Sequence, residues 1–231
     1  MTKLGRLISH SLGMGRKEGR ALLEAGVVRV NGLVVRDAAR LVAPFDRVEC
    51  EGRTVQARRR QHLMMHKPAG YVSATVDAEH PTVIDLIDEP WKGELHLAGR
   101  LDRFTTGLVI LTNDSSFSEA LTEPGRRVPK GYKVETDRAI TEEAISAIQA
   151  GMPFAKEGIV THPARLELEG ERACDLTIYE GKHHQVKRMF LRFGITVTAL
   201  HRYRIGKLVL DEALAPGAYR RLGSDEVDLN E

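Results

Sequence analysis

Cysteine is almost missing from this chain of 231 residues. Cys50 and Cys174 stand far apart and outside any CxxC or Cys/His ligand spacing. That excludes a disulfide framework and a zinc site, and two buried thiols are expected. Long apolar runs are also missing. None approaches the roughly 20 residues of a membrane helix, and Met1-Thr2-Lys3-Leu4-Gly5 opens without a signal-peptide core, so no membrane partner is expected and the chain is read as cytoplasmic. There is no internal repeat and no low-complexity tract. A nucleotide cradle is excluded because Gly13-x-Gly15-x-x-x-Gly19 has neither the preceding strand nor the Lys-Ser/Thr of a phosphate loop. A metal is excluded because His183 and His184, near Asp175 and Glu180, are adjacent and should diverge on a helix, with no HExxH spacing. What remains, 42% hydrophobic and 29% charged, is the composition of a globular protein with a packed core.

The net charge of +2 conceals a division. Residues 1–60 hold 13 Lys/Arg against 6 Asp/Glu, a net of +7, and residues 61–231 hold 21 against 26, a net of −5. A basic module that grips a polyanion, joined to a less adhesive body, fits this asymmetry. In the basic part, Leu4, Leu7, Ile8 and Leu12 share a helical face that Gly13 can end, and Ala21, Leu22 and Ala25 continue a second helix before Gly26. Val27 to Val30, Asn31-Gly32 and Leu33 to Val35 spell a β-hairpin, and Val48 to Cys50 with Thr54-Val55 spell another about Gly52. Two helices followed by hairpins, closing on Gly-Val-Val-Arg-Val-Asn-Gly at 26–32, resemble the S4 RNA-binding domain. The chain is therefore read as an S4-like domain at 1–57, a basic linker at 58–61 and a second domain at 62–231.

The second domain alternates short strands with turns and few helices. Strands are predicted at Leu63 to His66, Tyr71 to Ala74, Leu108 to Thr112, Tyr132 to Glu135, Ala173 to Ile178 and Thr196 to Leu200, and helices at Thr141 to Ala150 and His184 to Phe193. The expected class is α+β, on a mixed, largely antiparallel sheet.

Chemistry concentrates in Gly99-Arg100-Leu101-Asp102-Arg103-Phe104-Thr105-Thr106-Gly107-Leu108, running on to Thr112-Asn113-Asp114. An Asp in a Gly-bounded, Thr-rich loop before an apolar strand is placed as catalytic carboxylates are, although a turn-capping Asp has the same local look. Gly-Arg-Leu-Asp, then Thr-x-Gly-Leu, then Thr-Asn-Asp is similar to the signature of the RsuA family of ribosomal RNA pseudouridine synthases. Four further blocks follow the order of that family: His66-Lys67-Pro68-Ala69-Gly70, Lys130-Gly131-Tyr132, Glu180 to Met189, and Pro216 to Arg220. The resemblance spans almost the whole chain.

It implies an isomerase in which Asp102 is the catalytic aspartate, Tyr132 lies against the target base and Lys187 is the basic partner of the aspartate. Converting uridine to pseudouridine breaks the C1′–N1 bond and joins C1′ to C5 without net redox change or hydrolysis, so no cofactor is required. Asp102 can serve as nucleophile or as a base at the ribose, and either role needs an ionised carboxylate. Burial disfavours that charge and an adjacent ammonium favours it. The uracil must leave its stack, and an aromatic face such as Tyr132 can receive it, although a cross-strand aromatic in the sheet has the same sequence look.

Seven Lys/Arg and no acid lie between Lys182 and Lys207. The candidate RNA contacts are Arg6, Arg16, Lys17 and Arg20 in the first domain and Arg58, Arg59 and Arg60 in the linker. In the second domain they are Lys67, Arg100, Lys130, Gln185, Arg188, Arg192, Arg202 and Arg204. Glu79-His80-Pro81-Thr82-Val83 with Asp88-Glu89-Pro90 is more similar to the small-subunit (16S) enzymes than to their large-subunit relatives. The expected partner is ribosomal RNA or a small-subunit assembly particle, met by a monomer. The competing readings are a large-subunit enzyme and a non-catalytic assembly factor.

Overall fold

A computed structural model describes residues 1–154 and 158–229. The chain forms two compact units, Met1–Arg60 and Gln61–Glu231.

The first unit runs β1 (Thr2–Lys3), α1 (Leu4–Ser11), α2 (Arg16–Ala25), β2 (Val28–Val30), β3 (Leu33–Val34), β4 (Leu41–Val42), β5 (Val48–Cys50) and β6 (Arg53–Gln56). Its four-stranded sheet has the order β3-β2-β5-β6, and β1 pairs separately with β4. The β2–β3 turn needs two left-handed residues in succession, and Asn31 (φ 50°) and Gly32 (φ 82°) supply them. Leu4 and Ile8 of α1 are fully buried, as the periodicity predicts. In α2 the buried residues are Gly19 and Leu23, and Ala21 and Ala25 are exposed. The reason is close approach: a Cβ at Gly19 would overlap Ser9 of α1, so the bare Gly19 face is the one that packs.

The second unit is built on a nine-stranded sheet whose main path is β13-β14-β10-β15-β9-β7-β17. These strands are β7 (His62–Lys67), β9 (Thr106–Thr112), β10 (Lys130–Thr136), β13 (Arg165–Gly170), β14 (Ala173–Ile178), β15 (Val197–Ile205) and β17 (Tyr219–Arg221), with β8 (His96–Leu97) beside β9 and β16 (Leu208–Val209) beside β15. A small pair, β11 (Pro153–Phe154) and β12 (Ile159–Val160), stands apart, and the helices are α3 (Ser115–Thr122), α4 (Glu142–Ala150), α5 (Gln185–Leu191) and α6 (Ser224–Val227). The β9–β15 pairing is parallel and the other pairings are antiparallel, which is the mixed α+β sheet expected.

The run Leu108-Val109-Ile110-Leu111 has no polar side because β9 is covered on both faces. Val109 and Leu111 join Leu63 and Met65 in the core under α4 and α5, and Leu108 and Ile110 join Met64 in a second core with α3. Alternate residues thus enter alternate cores.

Two expected elements differ. Tyr71 to Ala74 forms only an isolated parallel bridge, Val72 with Thr82, because its backbone is engaged by Pro81 and Val83. The strand predicted from Thr196 to Leu200 extends to Ile205, and its continuation bears on the site.

Candidate active site

Asp102 sits where β9 is about to begin, on a loop held from several directions. Its carbonyl accepts from Thr105 N at 3.1 Å, Leu101 N donates to Ser73 Oγ at 3.1 Å, and Gly70 N donates to the Arg103 carbonyl at 2.9 Å. The His66-to-Gly70 block is therefore the anchor of this loop. Lys67 is fully buried, and its ammonium donates to the carbonyls of Pro68 (2.9 Å), Arg103 (2.9 Å) and Thr105 (2.8 Å). From the other side Arg202, 2% exposed, donates through Nε and Nη2 to the Leu108 carbonyl at 2.9 and 2.8 Å and through Nη1 to the Arg100 carbonyl at 3.4 Å. Gly107 is required where β9 meets β15: its φ is 105°, and a Cβ there would overlap the Arg202 backbone.

The loop faces the start of α5. Val186, Met189 and Phe190 bury one side of that helix, and Lys187 emerges from another to place Nζ 2.9 Å from Asp102 Oδ2. The pair is only partly exposed, with side-chain exposures of 36% and 27%. A second contact has no counterpart in the sequence motifs: His184 Nε2 lies 3.3 Å from Asp102 Oδ1. Around the carboxylate opens a pocket of about 200 Å³ lined by Lys130, Tyr132, Glu180, His184 and Lys187 among others. Tyr132, in the middle of β10, is 6% exposed and presents part of its ring to this pocket.

Several expected RNA contacts are corrected. Lys67 and Arg202 are struts of the loop: Lys67 is fully buried, and Arg202, 2% exposed, meets open space only where it lines the pocket. Gln185 is 3% exposed; it donates to Glu180 Oε1 and accepts from Lys182 N, closing the turn before α5. Lys130 is buried, donates to the Val128 carbonyl and borders the pocket, so it meets at most the bound base and no surface phosphate. Arg204 is half-buried on β15, with Nη2 3.4 Å from Thr177 Oγ1. In each case sequence shows a polar group and not its depth, because such a group can lie inside the fold once internal partners take up its hydrogen bonds. Arg6, Arg16, Lys17, Arg20, Arg58, Arg59, Arg60, Arg100 and Arg192 are exposed, and Arg188 is half-buried with its guanidinium 4.0 Å from the Phe154 ring centroid. His183 and His184 do not diverge. Their rings stack with centroids 3.8 Å apart, because His184 has left-handed backbone and is not part of the helix. Among the described residues no group of three or more His, Cys, Asp or Glu could hold a metal, and no helix is long and apolar enough to cross a membrane.

Burial pulls the Lys67 ammonium down from 10.5 to about 8, the Asp102 carboxylate opposing and Lys187 reinforcing the shift. Lys130 is brought to about 8 mainly by burial and secondarily by Arg202, with Glu180 opposing. Turnover is expected to fall as pH rises through about 8, because a neutral Lys67 offers two N–H groups to three carbonyls and the pocket loses the Lys130 charge. The linkage has the opposite sign for stability. Between about 8 and 10.5 the unfolded state holds these protons more tightly, so both amines make unfolding harder as pH rises. A pH–rate profile taken with melting temperatures tests this, and a Tm that drops in step with activity would assign the limb to unfolding.

Comparison with known proteins agrees with this geometry. The family described as RNA pseudouridylate synthase matches residues 61–192. A ribosomal small subunit pseudouridine synthase A from Pseudomonas aeruginosa is 46% identical over 97% of this chain and 98% of its own length. The proteins of that name from Vibrio parahaemolyticus and Escherichia coli K12 are 41% identical (98% of each chain) and 39% identical (97% of this chain and 98% of that one). A crystal structure of a pseudouridylate synthase superposes with a TM-score of 0.71 at 35% identity, covering 98% of both chains. A match that takes in the Asp102 loop, β10 and α5, together with relatives aligned nearly end to end, leaves one conclusion: this chain belongs to the RNA pseudouridylate synthase family.

Proposed function

We propose that this enzyme isomerises a uridine of small-subunit ribosomal RNA, with Asp102 as the reacting carboxylate, Lys187 as its cationic partner and Tyr132 as the surface on which the flipped uracil rests. The observation that carries the chemistry is the Asp102–Lys187 contact of 2.9 Å at the mouth of a pocket with a buried aromatic wall. The choice of RNA rests on the relatives, which are small-subunit enzymes by name.

A base that is to be turned over must first leave its stack, and a concave site closed on one side by Tyr132 accommodates it. Asp102 then acts at the sugar. As nucleophile it takes C1′ while N1 departs with the bonding pair; as base it removes a ribose proton to the same end. When C1′ is rejoined to C5, the Asp102–C1′ bond breaks and frees the carboxylate, or in the base route the ribose carbon regains its proton; the proton at C5 leaves and N1 gains one, so atoms balance without water or oxidant. Lys187 sets an ammonium 2.9 Å from the carboxylate oxygen, where it can oppose the change of charge at Asp102 during the reaction.

In the first unit Arg6, Arg16, Lys17 and Arg20 border one hollow of about 700 Å³ with Lys3. Five cations around a single concavity suit an RNA backbone, and this unit is read as the grip. Replacing Arg6, Arg16, Lys17 and Arg20 together by Ala is expected to weaken RNA binding and to flatten its salt dependence by about 0.7 to 0.9 in log–log slope for each phosphate that is no longer neutralised. Unchanged slope and affinity would remove this unit from the RNA interface.

The purified enzyme, offered small-subunit RNA, assembling small-subunit particles and large-subunit RNA, should form pseudouridine with the first or second. Product on large-subunit RNA alone would reassign the substrate. Binding without product on any of them would make the chain a non-catalytic assembly factor.

A further inference from the structure

Asp102 is approached at both oxygens, and the need for one counter-charge explains only Lys187 at Oδ2. Accepting that Asp102 is the reacting group, we infer that His184 is a positioning residue, whose Nε2, 3.3 Å from Oδ1, limits the turning of the carboxylate. A single partner on one oxygen leaves the group able to turn about its Cβ–Cγ bond. A second partner on the other oxygen, at 3.3 Å, removes that freedom and holds one orientation toward the sugar.

Three observations set His184 apart from a surface histidine. Its backbone is left-handed, φ 50° and ψ 32°, a region disfavoured for a side chain with a Cβ and usually filled by Gly or Asn. Arg127, the other described non-glycine residue of positive φ in this unit, does not line the pocket, and His184 does. Strain kept beside a reacting group is a signature of function. The ring also stacks on His183, with centroids 3.8 Å apart and an interplanar angle of 22°. Finally, His184 caps the helix that carries Lys187, so one buried, rigid element delivers both partners to the carboxylate.

The test uses three variants of the full chain, each assayed for pseudouridine formation and for Tm. His184→Phe keeps a flat ring over His183 and removes the donor. Its kcat is expected to fall on the order of 10- to 100-fold with KM within about twofold. His184→Gln keeps an N–H that reaches the carboxylate, and most of the activity should be recovered. His184→Gly relieves the backbone, so kcat should fall as in the Phe variant while Tm is equal to or above wild type. A merely structural role does not separate activity from stability in that way. Wild-type kcat in the Phe variant, an effect confined to KM, or no recovery with Gln would each overturn the assignment. Asp102→Asn, measured alongside, separates the failures. If that variant is active, the reading of Asp102 falls. If it is dead while His184→Phe is normal, only the role of His184 falls.

Discussion

Asp102→Asn is expected to abolish pseudouridine formation, by at least about 10⁴-fold, while RNA affinity stays within about twofold of wild type. The substitution exchanges one oxygen for an amide nitrogen at nearly constant volume, so the loop held by Lys67, Ser73 and Arg202 has no reason to move. What disappears is the charge. An amide can neither attack C1′ nor remove a proton from the ribose, and both open versions of the chemistry predict the same outcome. Affinity should be spared on the proposed cationic grip, because removing one anion beside the pocket weakens none of those cations. Single-turnover measurement on pure variant protein checks the expectation. Normal product yield would sink the assignment of Asp102 whatever the binding.

Lys187→Met should lower kcat by roughly 10²- to 10³-fold, the scale on which removal of a preorganised electrostatic partner acts. Methionine keeps the apolar stem, and the Val186, Met189 and Phe190 face of α5 keeps its packing, so Tm should change little. The carboxylate is deprived of its 2.9 Å partner and keeps only His184. Lys187→Arg retains a cation but replaces a compact ammonium by a planar fork, so intermediate activity is expected. Binding should scarcely separate the three proteins, since Lys187 is one cation beside many exposed ones, Arg6, Arg16, Lys17, Arg20, Arg100 and Arg192 among them. If Lys187→Met instead bound RNA poorly and converted what it bound at the wild-type rate, Lys187 would be a phosphate contact.

Legibility in the sequence followed the range of the forces involved. Asn31-Gly32 specifies its turn because the required dihedrals belong to those two residues alone, and the Val186/Met189/Phe190 spacing specifies a buried helical face. The Gly99-to-Asp114 segment marks the site through a resemblance; from chemistry alone Asp102 could equally be a turn cap. β13 is absent from the predicted strands although Leu166 and Leu168 alternate with Glu167 and Glu169, a period-two pattern on an edge strand whose Leu168 is 47% exposed.

The sequence by itself determined the two-part charge distribution, the local hairpins and helices, the doubly apolar β9 and the segment that carries Asp102. These depend on composition and on residues within a few positions of one another. Only the tertiary structure decided which cations are exposed and which are internal struts. Lys67 and Arg202 lie 135 positions apart and converge on one loop because β9 pairs with β7 on one side and β15 on the other. It also decided that His184 touches Asp102, across 82 positions. No local pattern encodes such a contact, because the left-handed backbone from which the imidazole meets Asp102 is one that a histidine does not favour by itself.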